Sequence, residues 1–453
     1  MAAFSLDEIC MATGGALLKK GAIQFTGVST DTRTIHAGNL FVAITGEHFD
    51  GHDFIDQALQ QGAAGIVVGP QAVNLDETIT VVRVENTLQA YQHIAAYHRS
   101  KFNIPVIAIT GSNGKTTTKD FTAAVLSSRF SILKTQGNFN NEIGLPLTLL
   151  HLNASHDAAV VEMGMRGLGE IRELAEIAKP NIAIVTNVGE THMELLGSIE
   201  NIAVAKSELV EAVPRDGIIV LNADNDYVRN MAQKSLGKVV LFGIEHEQCQ
   251  IRAKNIQLHQ TETSFDCEYL QGQFTAVIPA IGKHNVYNAL AAIAVALELG
   301  LQPEEINTGL RMFSPSAMRL SVTRMNDYNI INDAYNASPM SMAAAIDTLS
   351  EFTQGRRIAI LGDMLELGDV AVVAHQQVGR KLAQSGIEIV ITVGKLAQYI
   401  AEAAKQGGVE KVIACDSHDH AKENLKQILK PGDTLLVKGS RGMKMETILN
   451  ELM

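Results

Sequence analysis

Apolar residues recur along this chain in short runs closed by small or polar turns, and between the runs the apolar spacing lengthens to that of a helix. From Pro105 onward the runs PVIAIT, DAAVVEMG, NIAIVTNV, DGIIVLNAD and KVVLFG alternate with helix-length amphipathic stretches. Runs this short and this apolar suit strands buried on both faces, and their alternation with helices predicts parallel strands joined by crossover helices. Residues 85–314 therefore read as a doubly wound α/β domain. Ahead of it, residues 1–84 hold short strands and turns (GVSTDTRTIHAGNLFVAITG), one helical pattern (HDFIDQALQQG) and the apolar strands AGIVVG and TITVVRV. These predict a smaller α/β domain, left through a helical connector over residues 87–102. Residues 250–280 alternate polar and apolar positions in short strands, and an Ala-rich helix pattern, HNVYNALAAIAVALELG, follows. Beyond Ser314 the strands LSVTRM, YNIINDA, RRIAILGD, EIVITVG and DTLLVKGS alternate with helical segments, so residues 315–453 read as a Rossmann-like α/β domain. None of its strands leads into G-x-G-x-x-G, which leaves a dinucleotide reading unsupported.

Three α/β domains fit a length of 453 residues. The formal net charge of -12 disfavours nucleic acid and anionic membrane surfaces as partners, because both reward clustered Lys and Arg. Any phosphate must be gripped locally. The cysteines Cys10, Cys249, Cys267 and Cys415 lack the spacing of a zinc site or a disulfide framework. The start, MAAFSLDEIC, lacks a basic segment leading into an apolar stretch, and the longest wholly apolar run, Ala289 to Leu297, is too short to span a bilayer. The expectation is a soluble cytoplasmic protein without membrane insertion.

The most specific chemistry lies in PVIAITGSNGKTTTKDFTAAVL, where an apolar strand ends at Thr110, a glycine-containing turn follows and a helix begins near Thr116. A phosphate loop needs this context. Gly111 and Gly114 let the backbone N–H groups of the turn, across Ser112 and Asn113, converge on phosphate oxygens, and the helix N-terminus adds partial positive charge. Lys115 would neutralise the outer phosphates, and Thr116 or Thr117 can offer a hydroxyl to Mg²⁺. The spacing departs from G-x-x-x-x-G-K-[ST], since Ile109 stands where the first glycine would be. In VVEMGMRGLGEI, Glu162 lies at a strand carboxyl end, where ligands of open α/β sheets collect and where a carboxylate suits Mg²⁺. TNVGETHMELLGS again follows a strand and offers His192 as a second metal ligand. Asn285 and Asn288 in GKHNVYNALAA share one helix face at i and i+3, a pattern open to ligand contact or to capping.

The loop, with its shortened T-G-x-x-G-K-T form, resembles that of the Mur ligase superfamily, and the resemblance runs over nearly the whole chain. It implies an ATP-dependent, Mg²⁺-dependent ligase that activates a carboxylate as an acyl phosphate and joins it to an amine. GNFNNEIGLPLTLL resembles the family's asparagine-rich loop, which makes Asn140 and Asn141 phosphate or substrate contacts. The resemblance assigns magnesium roles to Glu162 and His192 and adenine contacts to Asn285 and Asn288. Lys206, in SIENIAVAKSELV, falls where several members carry a lysine carbamylated by CO₂; the plainer reading is a surface lysine on a solvated face with Glu200, Glu208 and Glu211. Arg319 in SPSAMRL and Asp333 in NDAYNASPMSM match the family's arginine and ribose-binding aspartate, and Asn336 belongs to the same segment. Ser29, Asp31 and Arg33 match an S-D-[ST]-R segment of a uridine-nucleotide domain. DAYNASP with ILGDMLELG, and the absence of D-N-P-R, imply UDP-N-acetylmuramoyl-tripeptide and D-alanyl-D-alanine as the substrates. Rival expectations are another amino-acid ligase of the family, a folylpolyglutamate synthase-like relative, or a non-catalytic nucleotide switch.

Overall fold

The computed structural model describes residues 2–46, 49–71, 78–259, 261–325 and 327–449. Glu47 and His48, within the N-terminal motif region, lie outside the described residues. The chain divides into two compact units: Met1–Ala108 with Phe130–Gly164 and Glu170–Asn181, and Ile109–Arg129 with Met165–Gly169 and Ile182–Met453.

In the first unit, five strands lie in the order Ala16–Lys19, Thr80–Arg83, Gly65–Val68, Asn39–Val42 and Gly27–Ser29. Only the first pair is antiparallel. The helix Ile55–Gln60 lays Ile55 and Ala58 against Phe41, Ile66, Val68 and Val81 to form the core of this sheet. Ile132–Lys134 and Ala158–Glu162 pair in parallel, the latter buried along its whole length as its unbroken apolar run requires.

In the second unit, Ile182–Val185, Ile218–Asn222 and Lys238–Gly243 pair in parallel. The polar–apolar alternation of residues 250–280 becomes an antiparallel meander of Ile251–Leu258, Thr263–Tyr269 and Gly272–Ile278. Six further strands follow in the order Ser321–Met325, Tyr328–Asp333, Thr434–Lys438, Arg357–Gly362, Ile389–Val393 and Lys411–Cys415. Successive residues point to opposite faces of this sheet. Ile331, Leu361, Val390 and Leu436 join one apolar cluster, and Ile330, Ile360, Ile391, Leu435 and Val437 join the other. Two details depart from the expected alternation. Ser321–Met325 and Tyr328–Asp333 form an antiparallel hairpin with no helix between them, because two residues separate the strands and a crossover needs a dozen or more. The edge strand Lys411–Cys415, KVIAC, is half-exposed and short, so its pattern is too weak to stand out. Among the described residues no helix is long and apolar enough to cross a membrane.

Candidate active site

The strand Val106–Thr110 ends where expected, and the helix Lys115–Leu126 opens one residue earlier than the sequence implied. Gly111 (φ +150) and Gly114 (φ +80) shape the turn between them. A Cβ on Gly111 would lie 1.9 Å from Thr186 Oγ1, and one on Gly114 would lie 2.5 Å from Asn288 Oδ1. Neither position admits a side chain. The loop is braced from TNVGE: the Ser112 and Asn113 N–H groups donate to Asn187 O and Oδ1, and Thr186 Oγ1 and Asn187 Nδ2 donate to Asn113 O. Ser112 Oγ accepts from Gly189 N and from Thr191 Oγ1. Thr186 and Asn187 are therefore structural parts of the phosphate loop that sequence reasoning missed, although their position after a strand was the available signal. No side chain caps the helix at Gly114. Lys115 Nζ donates to Gly111 O at 2.8 Å, lying back along the turn it would serve. Thr116 is buried and Thr117 half-buried.

Two observations fit this turn to a phosphate ligand. Asn113 Nδ2 is buried and has no hydrogen-bond partner among the described residues, so a donor stands ready for a ligand oxygen. The two glycines keep the turn bare of side chains, which lets backbone approach an anion; the Ser112 and Asn113 N–H groups, expected to converge on phosphate, are instead held by Asn187 and brace the turn. Asn285 and Asn288 are both buried; Asn288 Oδ1 accepts from Thr118 Oγ1, Asn288 Nδ2 donates to Asn285 Oδ1, and Asn285 Nδ2 donates to Ile281 O. The chain of amides ties the helix Lys283–Glu298 to the phosphate-loop helix. Neither amide caps, since Gly282 begins that helix without a side-chain cap.

Glu162 is the last residue of its strand and only 1% exposed. Its N–H donates to Thr135 Oγ1, and its Oε1 accepts from Asn140 Nδ2 at 2.7 Å. Asn140 thus holds the carboxylate, while Asn141 Oδ1 accepts from Gly144 N and starts the next helix. His192 begins the short helix Met193–Leu196 in the left-handed conformation (φ +56), with Nδ1 2.8 Å from Glu366 Oε2. Burial holds its pKa below the ordinary histidine value against the opposing charge of Glu366, and Lys115 and Lys206 add to the depression. The neutral imidazole is the ligand form. The surface reading of Lys206 is overturned: the residue is 1% exposed, on a helix whose Glu208 is also buried and accepts from Gly169 N. Helical spacing alone could not tell which face the sheet covers. Burial chiefly, then the charge of Lys115, pushes the Lys206 amine well below its ordinary pKa. Among the described residues no three His, Cys, Asp or Glu side chains gather into a metal cage. A Mg²⁺ ion held partly by nucleotide phosphates needs few protein carboxylates, and a buried carboxylate or a neutral imidazole is a donor of the kind it accepts.

Arg319 sits between two residues in the left-handed conformation, Met318 (φ +60) and Leu320 (φ +50), with its guanidinium 3.9 Å over the Tyr335 ring. The segment leading to it is fastened to the phosphate-loop helix: Phe313 stacks on Phe121 at 3.6 Å, and Ser316 Oγ donates to Asp120 Oδ2 at 2.6 Å. Asp333, at the end of its strand, accepts from Leu320 N and, at 2.5 Å, from Lys438 Nζ, which also donates to Asn336 O. Asn336 itself is exposed. Lys438 was also missed; its signal was a charged residue closing an apolar strand. In the first unit, Ser29 Oγ accepts from Asp31 N, and Asp31 holds the Arg33 guanidinium through both carboxylate oxygens, 2.7 Å at the closest. Arg33 is exposed and Asp31 half-buried, and Arg33 lowers the Asp31 pKa.

The description "Mur ligase family, catalytic domain" matches residues 24–107, "Mur ligase middle domain" matches 109–296, and "Mur ligase, glutamate ligase domain" matches 318–441. The chain is 41% identical over 433 residues to a UDP-N-acetylmuramoyl-tripeptide--D-alanyl-D-alanine ligase of Bacillus subtilis, covering 94% of this chain and 93% of that one. It is similar to a crystal structure of MurF from Acinetobacter baumannii, with TM-score 0.93, 31% identity and coverage of 100% and 99%. It is similar also to a MurF ligase from Thermotoga maritima in complex with ADP, with TM-score 0.85, 28% identity and coverage of 94% and 96%.

Proposed function

This chain belongs to the Mur ligase family, and from that premise we infer that it joins D-alanyl-D-alanine to UDP-N-acetylmuramoyl-tripeptide at the expense of ATP, in peptidoglycan precursor synthesis. The observation that carries the reading is the braced phosphate loop, set within a likeness to named ligases that runs the length of the chain. A carboxylate is a poor electrophile for an amine. The tripeptide carboxylate oxygen attacks the γ-phosphorus of ATP, ADP leaves, and an acyl phosphate forms. The dipeptide's amino nitrogen then attacks the acyl carbon, phosphate departs with the former carboxylate oxygen, and the nitrogen sheds a proton.

The site residues divide this work. The turn from Gly111 to Gly114, with Ser112 and Asn113 fixing its path, seats the nucleotide phosphates, and Lys115 swings from Gly111 O to the transferring phosphoryl group. Arg319 adds a second cation there. Asn285 and Asn288 face the base, and Asp333 the ribose. Thr116 or Thr117, Glu162, His192 and a carbamylated Lys206 would hold magnesium, whose chemistry when bound is to neutralise charge on the phosphate oxygens. Asn140, Asn141 and Asn336 contact the substrates, with Asn140 also orienting Glu162. Residues 1–84 take the uridine nucleotide through Ser29, Asp31 and Arg33, residues 85–314 take ATP, and residues 315–453 close over ATP and the amine. We place the reaction in the cytoplasm, in keeping with ATP as its energy source and with four free thiols.

The test is release of ADP and phosphate as the two substrates are supplied singly and together. Turnover that requires both, and that falls when other amino acids or dipeptides replace D-alanyl-D-alanine, supports the reading. Slow hydrolysis indifferent to the amine would indicate a nucleotide switch, and a preference for another amine would indicate a different ligase of the family.

A further inference from the structure

The segment ILGDMLELG has no role in the chemistry above, yet its loop reaches the candidate metal ligand. The loop is built rigidly on its own sheet. His375, fully buried, donates from Nδ1 to Ala371 O at 2.6 Å and accepts at Nε2 from Met364 N at 2.9 Å, and Ser440 Oγ accepts from Leu365 N at 2.8 Å. From this base Glu366 projects in the left-handed conformation (φ +63) and sets Oε2 2.8 Å from His192 Nδ1, a buried nitrogen that makes no aligned hydrogen bond among the described residues. Its carbonyl also accepts from Glu194 N at 3.3 Å, and a Cβ on Gly368 (φ +55) would stand 3.3 Å from Glu194 Cα. Two non-glycine residues far apart in sequence thus hold left-handed backbone where they face each other. Such conformations persist only where the surroundings impose them, and they collect at functional sites. Glu366 is largely exposed, so the pair contributes little to stability by itself. Its effect is on orientation.

We propose that Glu366 is a positioning residue for His192: its carboxylate stands where it can accept the Nδ1 proton as the imidazole turns to a metal, which fixes the tautomer that leaves the Nε2 lone pair for the ion, so the ligand is correctly presented only while the 364–368 loop is docked. Metal-ligating imidazoles are commonly oriented through their second nitrogen in this way. Here the partner comes from a loop 174 positions further along the chain, which makes the placing of that loop a condition of a competent metal site. This rests on the assignment of His192 as a magnesium ligand.

The experiment measures binding of Mn²⁺ by electron paramagnetic resonance, in the full chain with a non-hydrolysable ATP analogue, alongside the metal dependence of ligation. Glu366→Gly removes the side chain and suits the backbone conformation; it is expected to weaken Mn²⁺ binding about tenfold or more, to raise the metal concentration needed for half-maximal ligation by the same factor, and to leave KM for the uridine substrate unchanged. Glu366→Gln keeps an oxygen that accepts from Nδ1 and is expected to bind Mn²⁺ nearly as the parent does. His192→Ala separates the two readings. If His192→Ala weakens Mn²⁺ binding and Glu366→Gly does not, the positioning role is wrong while the metal assignment stands. If His192→Ala leaves Mn²⁺ binding intact, the assignment fails and the positioning role with it. Weak binding by Glu366→Gln equal to that of Glu366→Gly would also overturn the proposal, since the carboxylate charge and not the acceptor would then be the active feature.

Discussion

Ser338 Oγ donates to Asn113 Oδ1 at 2.9 Å, so one hydroxyl both caps the helix Pro339–Ser350 and touches the phosphate loop. The cap is complete, with Ser341 N donating to Ser338 Oγ and Ser338 N donating to Ser341 Oγ. The contact also turns the Asn113 amide so that Nδ2, the nitrogen without a protein partner among the described residues, stays in the loop.

Ser338→Ala should therefore show two separable effects. Loss of an N-cap costs about 1 kcal/mol of stability, read as a lower denaturant midpoint. Release of the Asn113 amide should raise KM for ATP by several-fold while KM for the uridine substrate holds. A loss of stability with KM for ATP unchanged would mean that the link to Asn113 is incidental.

Lys115→Ala should reduce turnover by about 10²- to 10³-fold, the usual cost of removing one charge stabiliser from a transition state. The fold should be retained, because Lys115 is half-buried and its ammonium donates to Gly111 O within its own turn, a local contact. Circular dichroism and the denaturant midpoint check the second half. Retention of most of the turnover would remove Lys115 from the phosphate site.

How much of this was legible in the sequence depended on how local the cause was. The phosphate loop was legible because strand, glycines, lysine and helix start are adjacent in sequence, and steric need writes them there: no Cβ fits at Gly111 or Gly114. The parallel strands were legible because burial on both faces leaves an unbroken apolar run. The hairpin 321–333 was missed for another reason: the apolar pattern of each strand looks alike whichever direction it pairs, and only the two-residue gap between the strands signalled the turn. Thr186, Asn187, Ser338, Glu366 and Lys438 act through residues 73 to more than 200 positions away in the chain, and a polar residue at a strand end reads the same whether it braces a loop or faces water. Lys206 shows the limit most directly. Its helix carries charge at Glu200, Glu208 and Glu211, and only packing reveals that Lys206 and Glu208 are inside.

His284 predicts a pH dependence. Burial pushes its pKa from 6.5 down to about 4, with Asp333 opposing and Lys438 adding to the fall. A group that is harder to protonate when folded binds more protons in the unfolded chain between those two values. Its contribution therefore favours the folded state fully above pH 6.5 and is withdrawn as pH falls from 6.5 towards 4, by an amount on the order of 1–3 kcal/mol. His284→Gln, which cannot take up a proton, should flatten the acid limb of the stability curve across that window. Equal slopes for parent and variant in urea titrations between pH 4 and 7 would show that the imidazole protonates in place.

Lys206 carries the sharpest consequence for the chemistry. An ammonium in this position would be buried beside the positive charge of Lys115, and burying an unpaired charge is strongly unfavourable. The same surroundings favour the neutral amine, which is the form that adds CO₂. The carbamate that results is an anion, able to attract Lys115 and to ligate magnesium. Lys206→Ala is expected to lose most of the activity and to recover part of it when a small carboxylate such as acetate or formate is supplied, because the anion occupies the vacated position. Mass measurement under retained CO₂ should find the parent heavier by one CO₂, and removal of CO₂ should lower turnover reversibly. An unmodified Lys206 under retained CO₂, together with an alanine variant of full activity, would assign the side chain to packing alone.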